Sequence, residues 1–225
     1  MYVPSYVPQP IEIPANVANE RYTVRLAFIR RVVAVYLASL VIIGLISLMV
    51  GNWSPFDLML VLVAMLALSL ARELAKGRDI EQRLSFAVSP ALLIGLGMCV
   101  HKLIDIHWPV WGMVIGVGCA TVYTFSCGRD LSFLGMWALS ISCSTVLILV
   151  FGWHEPGIVL IELLLANAIY LSYFVYDLAA LLTRRRLGEE VGAVVDLYRD
   201  VLNMFSYPVR VWNHWRTHKI WVPRP

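Results

Sequence analysis

"VVDLYRDVLNMF", residues 194–205, places Asp196, Arg199 and Asp200 within five positions of one another, in apolar surroundings. From Val191 to Val209 the segment is long enough to cross a bilayer. A charge at the bilayer centre costs on the order of 3 kcal/mol or more, so a spanning helix of this kind has to turn its charges towards protein or water. Read as a re-entrant segment, the stretch leaves a six-span protein. Read as spanning, it makes a seven-helix bundle in which its polar groups can face the bundle interior. We take the second reading, with boundaries of about 190–209.

The rest of the chain supports a membrane setting. It has 225 residues, 60% of them hydrophobic and 15% charged, with a mean hydropathy of +0.73. Soluble domains run nearer half apolar and a quarter charged. Six further apolar runs lie at roughly 32–50, 56–71, 84–100, 109–127, 131–152 and 157–176. Long uncharged runs in lipid imply helices, because open sheet edges cannot be satisfied there. The links are short and leave no room for a separate soluble domain. The expected organisation is a mobile Pro-rich tail over 1–20, a helical membrane domain over 21–209 and a short basic tail over 210–225. A net charge of +3 is too small to imply a nucleic-acid partner. The expected partner is the bilayer itself. Cys99, Cys119, Cys127 and Cys143 lie in or beside apolar runs with no metal-site spacing and read as small buried hydrophobes.

Lys and Arg set the orientation. Arg21, Arg25, Arg30 and Arg31 precede the first span. Arg72, Lys76, Arg78 and Arg83 follow the second, Arg129 the fourth, and Arg184, Arg185 and Arg186 the sixth. The opposite loops carry only Lys102. The N-terminus is therefore expected in the cytoplasm. Arg210, Arg216, Lys219 and Arg224 in the C-terminal tail obey this rule only if the last helix re-enters.

Four acids lie within these spans: Glu162 and Asp177 on the sixth, Asp196 and Asp200 on the seventh. Asp177 is about 10 Å from the Arg184 end of its helix, and Asp196 and Asp200 are about 9 and 15 Å from Glu190, at 1.5 Å per residue. The two helices run antiparallel across a short link, so Asp177 can meet either aspartate, which share one face at i, i+4. Two carboxylates together in a low dielectric hold one proton between them. Such a pair senses pH, or offers oxygens to a hard cation when deprotonated. The competing reading is that each acid caps or pairs within the bundle. Arg72, at the cytoplasmic end of span two, can bridge a carboxylate pair or simply set topology. Glu162 is interfacial or bundle-buried.

Four stretches together resemble the transmembrane Bax inhibitor-1 motif family, which includes the lifeguard proteins. They are "VRLAFIRRVVAVY" (24–36), "RDLSFLGMWAL" (129–139), "YFVYDLAALL" (173–182) and "AVVDLYRDVLNMF" (193–205). They stand in the family's order and spacing, and the likeness runs from about residue 21 to residue 209. The resemblance implies an all-α integral membrane protein, a seven-transmembrane-helix bundle with a central C-terminal helix. It also implies a calcium leak controlled by pH. The family's proton-sharing pair maps onto Asp177 and Asp200, which would also be the metal-facing carboxylates, and its latching arginine maps onto Arg72. Asp196 resembles an extra acid of Bax inhibitor-1 proper, and with Glu162 it marks a cation pathway. Arg199 stands where the family carries leucine, and span two lacks the acid that bacterial members have.

The expected function is thus a pH-sensitive calcium leak gated by an aspartate pair, with no permanently bound cofactor and Ca2+ as the transported ion. The alternative is a non-transporting regulator that binds other membrane proteins, such as proteases or cell-death factors. An enzyme is not expected: the second aspartate lacks the Gly-x-Gly-Asp setting of intramembrane aspartyl proteases. A compact chain of this kind suggests a bacterial plasma membrane, with a eukaryotic ER or Golgi membrane as the alternative.

Overall fold

Each apolar run carries one helix. A computed structural model describes residues 15–51, 54–75, 80–128 and 131–202, apart from the side chains of residues 55, 73, 113 and 199–202. Along these residues lie α1 (Tyr22–Met49), α2 (Pro55–Leu74), α3 (Ile80–Asp105), α4 (Trp111–Ser126), α5 (Phe133–Phe151), α6 (Gly157–Arg184) and α7 (Glu190–Leu202). Four of them, α1, α3, α5 and α6, are long and apolar enough to cross a membrane, which marks the chain as an integral membrane protein. The expected continuation of α7 over 203–209 and the basic tail after it lie outside the described residues.

The helices are apolar outside and partly polar inside, as lipid requires. On α5 the buried stripe is Met136, Ser140, Ser144 and Ile148, every fourth residue. Its exposed face carries Leu134, Leu139, Val146 and Val150. In α1, Ser39 and Ser47 are buried while Val41, Leu45 and Leu48 are exposed. Small and hydroxylated residues at helix contacts let backbones approach and supply hydrogen bonds between helices.

Local signals fix the helix ends. Pro55 opens α2, where its missing N–H costs nothing. Ser54 and Asp57 cap that end reciprocally: the Asp57 N–H donates to Ser54 Oγ (3.3 Å) and the Ser54 N–H donates to Asp57 Oδ2 (3.0 Å). Ser132 caps α5 by accepting from the Gly135 N–H at 3.2 Å.

Helix α1 begins at Tyr22, ten residues before the apolar run. Its first turns are covered by protein, since Leu26, Phe28 and Ile29 are all buried. Within residues 15–20, expected as the end of a mobile tail, Asn16 and Val17 are buried and Ala18 packs on the core. Val17 is fully buried, and its N–H donates to the Arg185 carbonyl at 3.0 Å.

Helix α7 packs against α1, α3 and α6, and α4 packs against α5 and α6. Where α1, α6 and α7 meet, the Tyr36 ring lies 5.1 Å from Phe174 and 4.8 Å from Tyr198. The Tyr36 and Tyr170 hydroxyls are hydrogen-bonded, as are those of Ser39 and Tyr198. Ser39 Oγ gives its proton to the Tyr36 carbonyl at 2.6 Å, so Tyr198 must be the donor to Ser39.

Arg30 ties α1 to the end of α4. Its Nε donates to the Thr124 carbonyl at 3.2 Å and its Nη2 to the Gly128 carbonyl at 3.0 Å. The Thr124 carbonyl lies in the last turn of α4, where carbonyls lack a helical backbone partner, and Gly128 lies just beyond the C-cap. Arg30→Ala is expected to cost about 1–2 kcal/mol, since hydrogen bonds from charged donors are worth more than neutral ones. Arg31, whose side chain is 69% exposed, meets Glu190 at 3.5 Å. A surface pair of that kind is worth about 0–1 kcal/mol, so Arg31→Ala should unfold close to the wild type. Thermal unfolding in detergent separates the two.

Candidate functional site

The short links between α2 and α3 and between α6 and α7 bring four helix ends to one side of the bundle. The same side holds the starts of α1 and α5 and the end of α4: the Tyr22 hydroxyl accepts from the Leu131 N–H at 2.8 Å, and Gln82 Nε2 donates to the Gly188 carbonyl at 3.2 Å. This is the side on which the Lys/Arg bias of the sequence falls.

Here the last turn of α2 supplies Arg72, the first turns of α3 supply Glu81 and Ser85, the C-cap of α6 supplies Arg185, and α7 supplies Gly192 and Asp196. Arg72, Asp196 and Arg185 are 3%, 2% and 4% exposed, and Glu81 is buried as well. Charges so buried persist only when each is paired and hydrogen-bonded.

They are paired on all sides. Arg72 Nη1 donates to Asp196 Oδ1 at 2.8 Å, its Nε to Ser85 Oγ at 2.7 Å and its Nη2 to the Gly192 carbonyl at 3.2 Å. Arg72 Nη2 also lies 3.6 Å from Glu81 Oε1. Arg185 reaches Asp196 Oδ2 through Nε at 2.7 Å and Nη2 at 2.5 Å. Its Nη1 meets Glu81 Oε1 at 2.8 Å and, more loosely, Glu189 at 3.7 Å. Ser85 Oγ passes its own proton to the Glu81 carbonyl at 2.9 Å. Two guanidinium and two carboxylate groups therefore form a buried quartet, with Glu189 at its edge.

The helix ends favour this arrangement, with a cation in the last turn of α2 and an acid in the first turn of α3. Burial works against the charge on Arg185, but Asp196 and Glu81 beside it hold its pKa above the usual arginine value. Gly192 makes room. A Cβ there would sit 3.3 Å from Arg185 Nη1 and 3.4 Å from Ser85 Oγ, tighter than side chains normally pack.

Of the residues singled out from the sequence, Arg72 and Asp196 are thus in direct contact. Asp177 is 2% exposed on α6 and interacts electrostatically with Tyr173. Phe174 and Tyr198 both lie against the Tyr36 ring; Asp177 is three residues nearer the C-terminal end of α6 than Phe174, and Asp196 is two residues nearer the N-terminal end of α7 than Tyr198. The side chain of Asp200 lies outside the described residues; its backbone continues α7 one turn beyond Asp196. Glu162 is exposed in the opposite half of α6, apart from the quartet.

Arg185 and Glu81 were missing from the sequence reading as site residues. Arg185 reads as one of three topology-setting arginines, and nothing in the sequence pattern singles out Glu81. The available signal was positional: both stand at the ends of short links that close on the same side as Asp196.

The chain is 33% identical over 129 residues to Protein LIFEGUARD 2 of Arabidopsis thaliana, a match covering 53% of each chain. It is 34% identical over 97 residues to Protein LIFEGUARD 3 of the same plant, covering 40% of this chain and 39% of that one. The chain spans about half the length, or less, of these curated relatives. No family model matches it, and no solved structure does. The two likenesses support the Bax inhibitor-1-like, lifeguard-type reading of its motifs.

Proposed function

We propose that this chain is a non-enzymatic, Bax inhibitor-1-like membrane protein that passes a calcium leak under pH control, with α7 as its central helix. The observation that carries this reading is the buried quartet. It fastens together the neighbouring ends of α2, α3, α6 and α7, and Asp177 lies buried on α6. Buried ion groups of this sort contribute little net stability compared with apolar packing, so a switching role accounts for them better than a purely structural one.

In this mechanism the quartet holds the cytoplasmic end shut while Asp177 and Asp200 share a proton. Rising pH removes that proton, and two like charges in a low dielectric repel each other. The helix ends separate, and the freed carboxylates offer oxygens to Ca2+ entering as cargo. Flux therefore rises with pH. The test is calcium flux into proteoliposomes between about pH 6 and pH 8, where a proton-sharing carboxylate pair can titrate. Asp177→Asn and Asp200→Asn are expected to flatten that dependence. Variants that keep both the flux and its pH response would sink the mechanism. An absence of flux from folded wild-type protein would turn the assignment to the non-transporting regulator.

A further inference from the structure

We propose that Arg185 is a positioning residue of the closed state, a second arginine that fastens α7 to α3 and α6 alongside Arg72. The proposal deepens the leak reading and rests on it for its consequence in transport. The contacts themselves single Arg185 out. It takes one oxygen of Asp196 with two nitrogens, leaving the other oxygen to Arg72, and it is the nearer arginine to Glu81, at 2.8 Å against 3.6 Å.

Its backbone is held as firmly as its side chain. The Arg185 N–H donates to the Leu181 carbonyl at 3.0 Å, and its carbonyl accepts from Val17 at 3.0 Å. Its neighbour Arg186 is exposed. A run of three arginines thus divides into members with different roles.

The argument turns on charge balance. Among the described residues, Arg72 from α2 and Arg185 from the end of α6 meet Asp196, Glu81 from α3 shares both arginines, and Glu189 is an outlying partner of Arg185. Glu190 lies at the rim, on Arg31 of α1. Removing the Arg185 charge takes from both Glu81 and Asp196 a cation that each holds at 2.8 Å or closer. Removing Glu81 as well takes away one of the two buried carboxylates that Arg185 had paired, and leaves the Arg72–Asp196 contact in place. A side chain that merely fills space does not behave this way: its loss is made worse, or left unchanged, by a second substitution next to it.

The experiment uses the full chain in proteoliposomes, comparing wild type, Arg185→Gln, Arg185→Gln with Glu81→Gln, and Arg186→Gln. Hydrogen exchange of the α7 amides is measured, together with calcium flux at a pH where the wild type is closed. Arg185→Gln is expected to speed α7 exchange by about a hundredfold, the scale of an uncompensated buried charge, and to raise flux several-fold. The double variant should return exchange to within about tenfold of wild type, because one of the carboxylates that Arg185 had paired is gone. Arg186→Gln should match wild type. Arg185→Gln exchanging like wild type, or the double variant exchanging faster than Arg185→Gln, overturns the proposal. If Arg185→Gln does not fold, a folded double variant supports the proposal and a double variant that also fails overturns it. Wild-type liposomes without flux would end the leak reading while the exchange result still decides the role of Arg185.

Discussion

Asp196→Ala is expected to lower the stability of the bundle by about 3–5 kcal/mol, the usual cost of taking one partner from a buried ion group. It leaves the guanidinium groups of Arg72 and Arg185 with Glu81 as their shared carboxylate and only the looser Glu189 contact beside it. For a chain of this size the loss corresponds to a melting point lower by roughly 10 °C, measured in detergent. Asp196→Asn keeps the shape and loses the charge, and should fall between the two. A combined replacement by apolar residues of similar volume (Arg72→Met, Glu81→Met, Arg185→Met and Asp196→Leu) is expected to recover most of the stability. A melting point that stays low in the combined variant would show that the quartet stabilises the fold in its own right.

Gly116→Leu is expected to prevent assembly of α4 with α6. A Cβ at Gly116 would lie 2.1 Å from Asn167 Oδ1 and 3.1 Å from Leu171 Cγ. Neither neighbour can yield. Leu171 is fully buried, and Asn167 is fixed by donating from Nδ2 to Ser144 Oγ of α5 at 2.8 Å. Even Gly116→Ala sets a gain of about 1 kcal/mol in helix propensity against overpacking worth about 1–3 kcal/mol, and the steric cost wins here because backbone has to move. Gly118 is the control. A Cβ there meets nothing within 4 Å, so Gly118→Ala should be neutral or stabilising by up to about 1 kcal/mol. The yield of folded, monodisperse protein after extraction orders the three variants. Equal yields of Gly116→Leu and Gly118→Ala would show that α4 and α6 do not meet at Gly116.

The apolar runs were legible because lipid demands length and apolarity together, and each run carries one helix. Helix ends were less legible. α1 starts ten residues early and α6 runs on to Arg184 because those turns are covered by protein, which hydropathy does not register. Asp196 was visible as a charge out of place, and Arg72 as a cation that could bridge carboxylates. Their pairing partners were not visible. In a linear reading Arg185 looks like a topology-setting arginine, and nothing singles out Glu81. They become buried only when two links far apart in sequence close over the same end of the bundle.

Helix α2 has one extensive neighbour among the described helices, α3. Much of its surface faces outward, with Phe56, Leu60, Val63, Leu70 and Leu74 exposed. A helix so exposed, set in a bilayer, answers a thinner or thicker membrane by tilting, at a cost of fractions of a kcal/mol per Å of mismatch. The Arg72 guanidinium joins this outlying helix to α7. Any tilt imposed by the membrane on α2 thus arrives at Asp196 as a pull on a single side chain, with the thickness of the bilayer setting its strength.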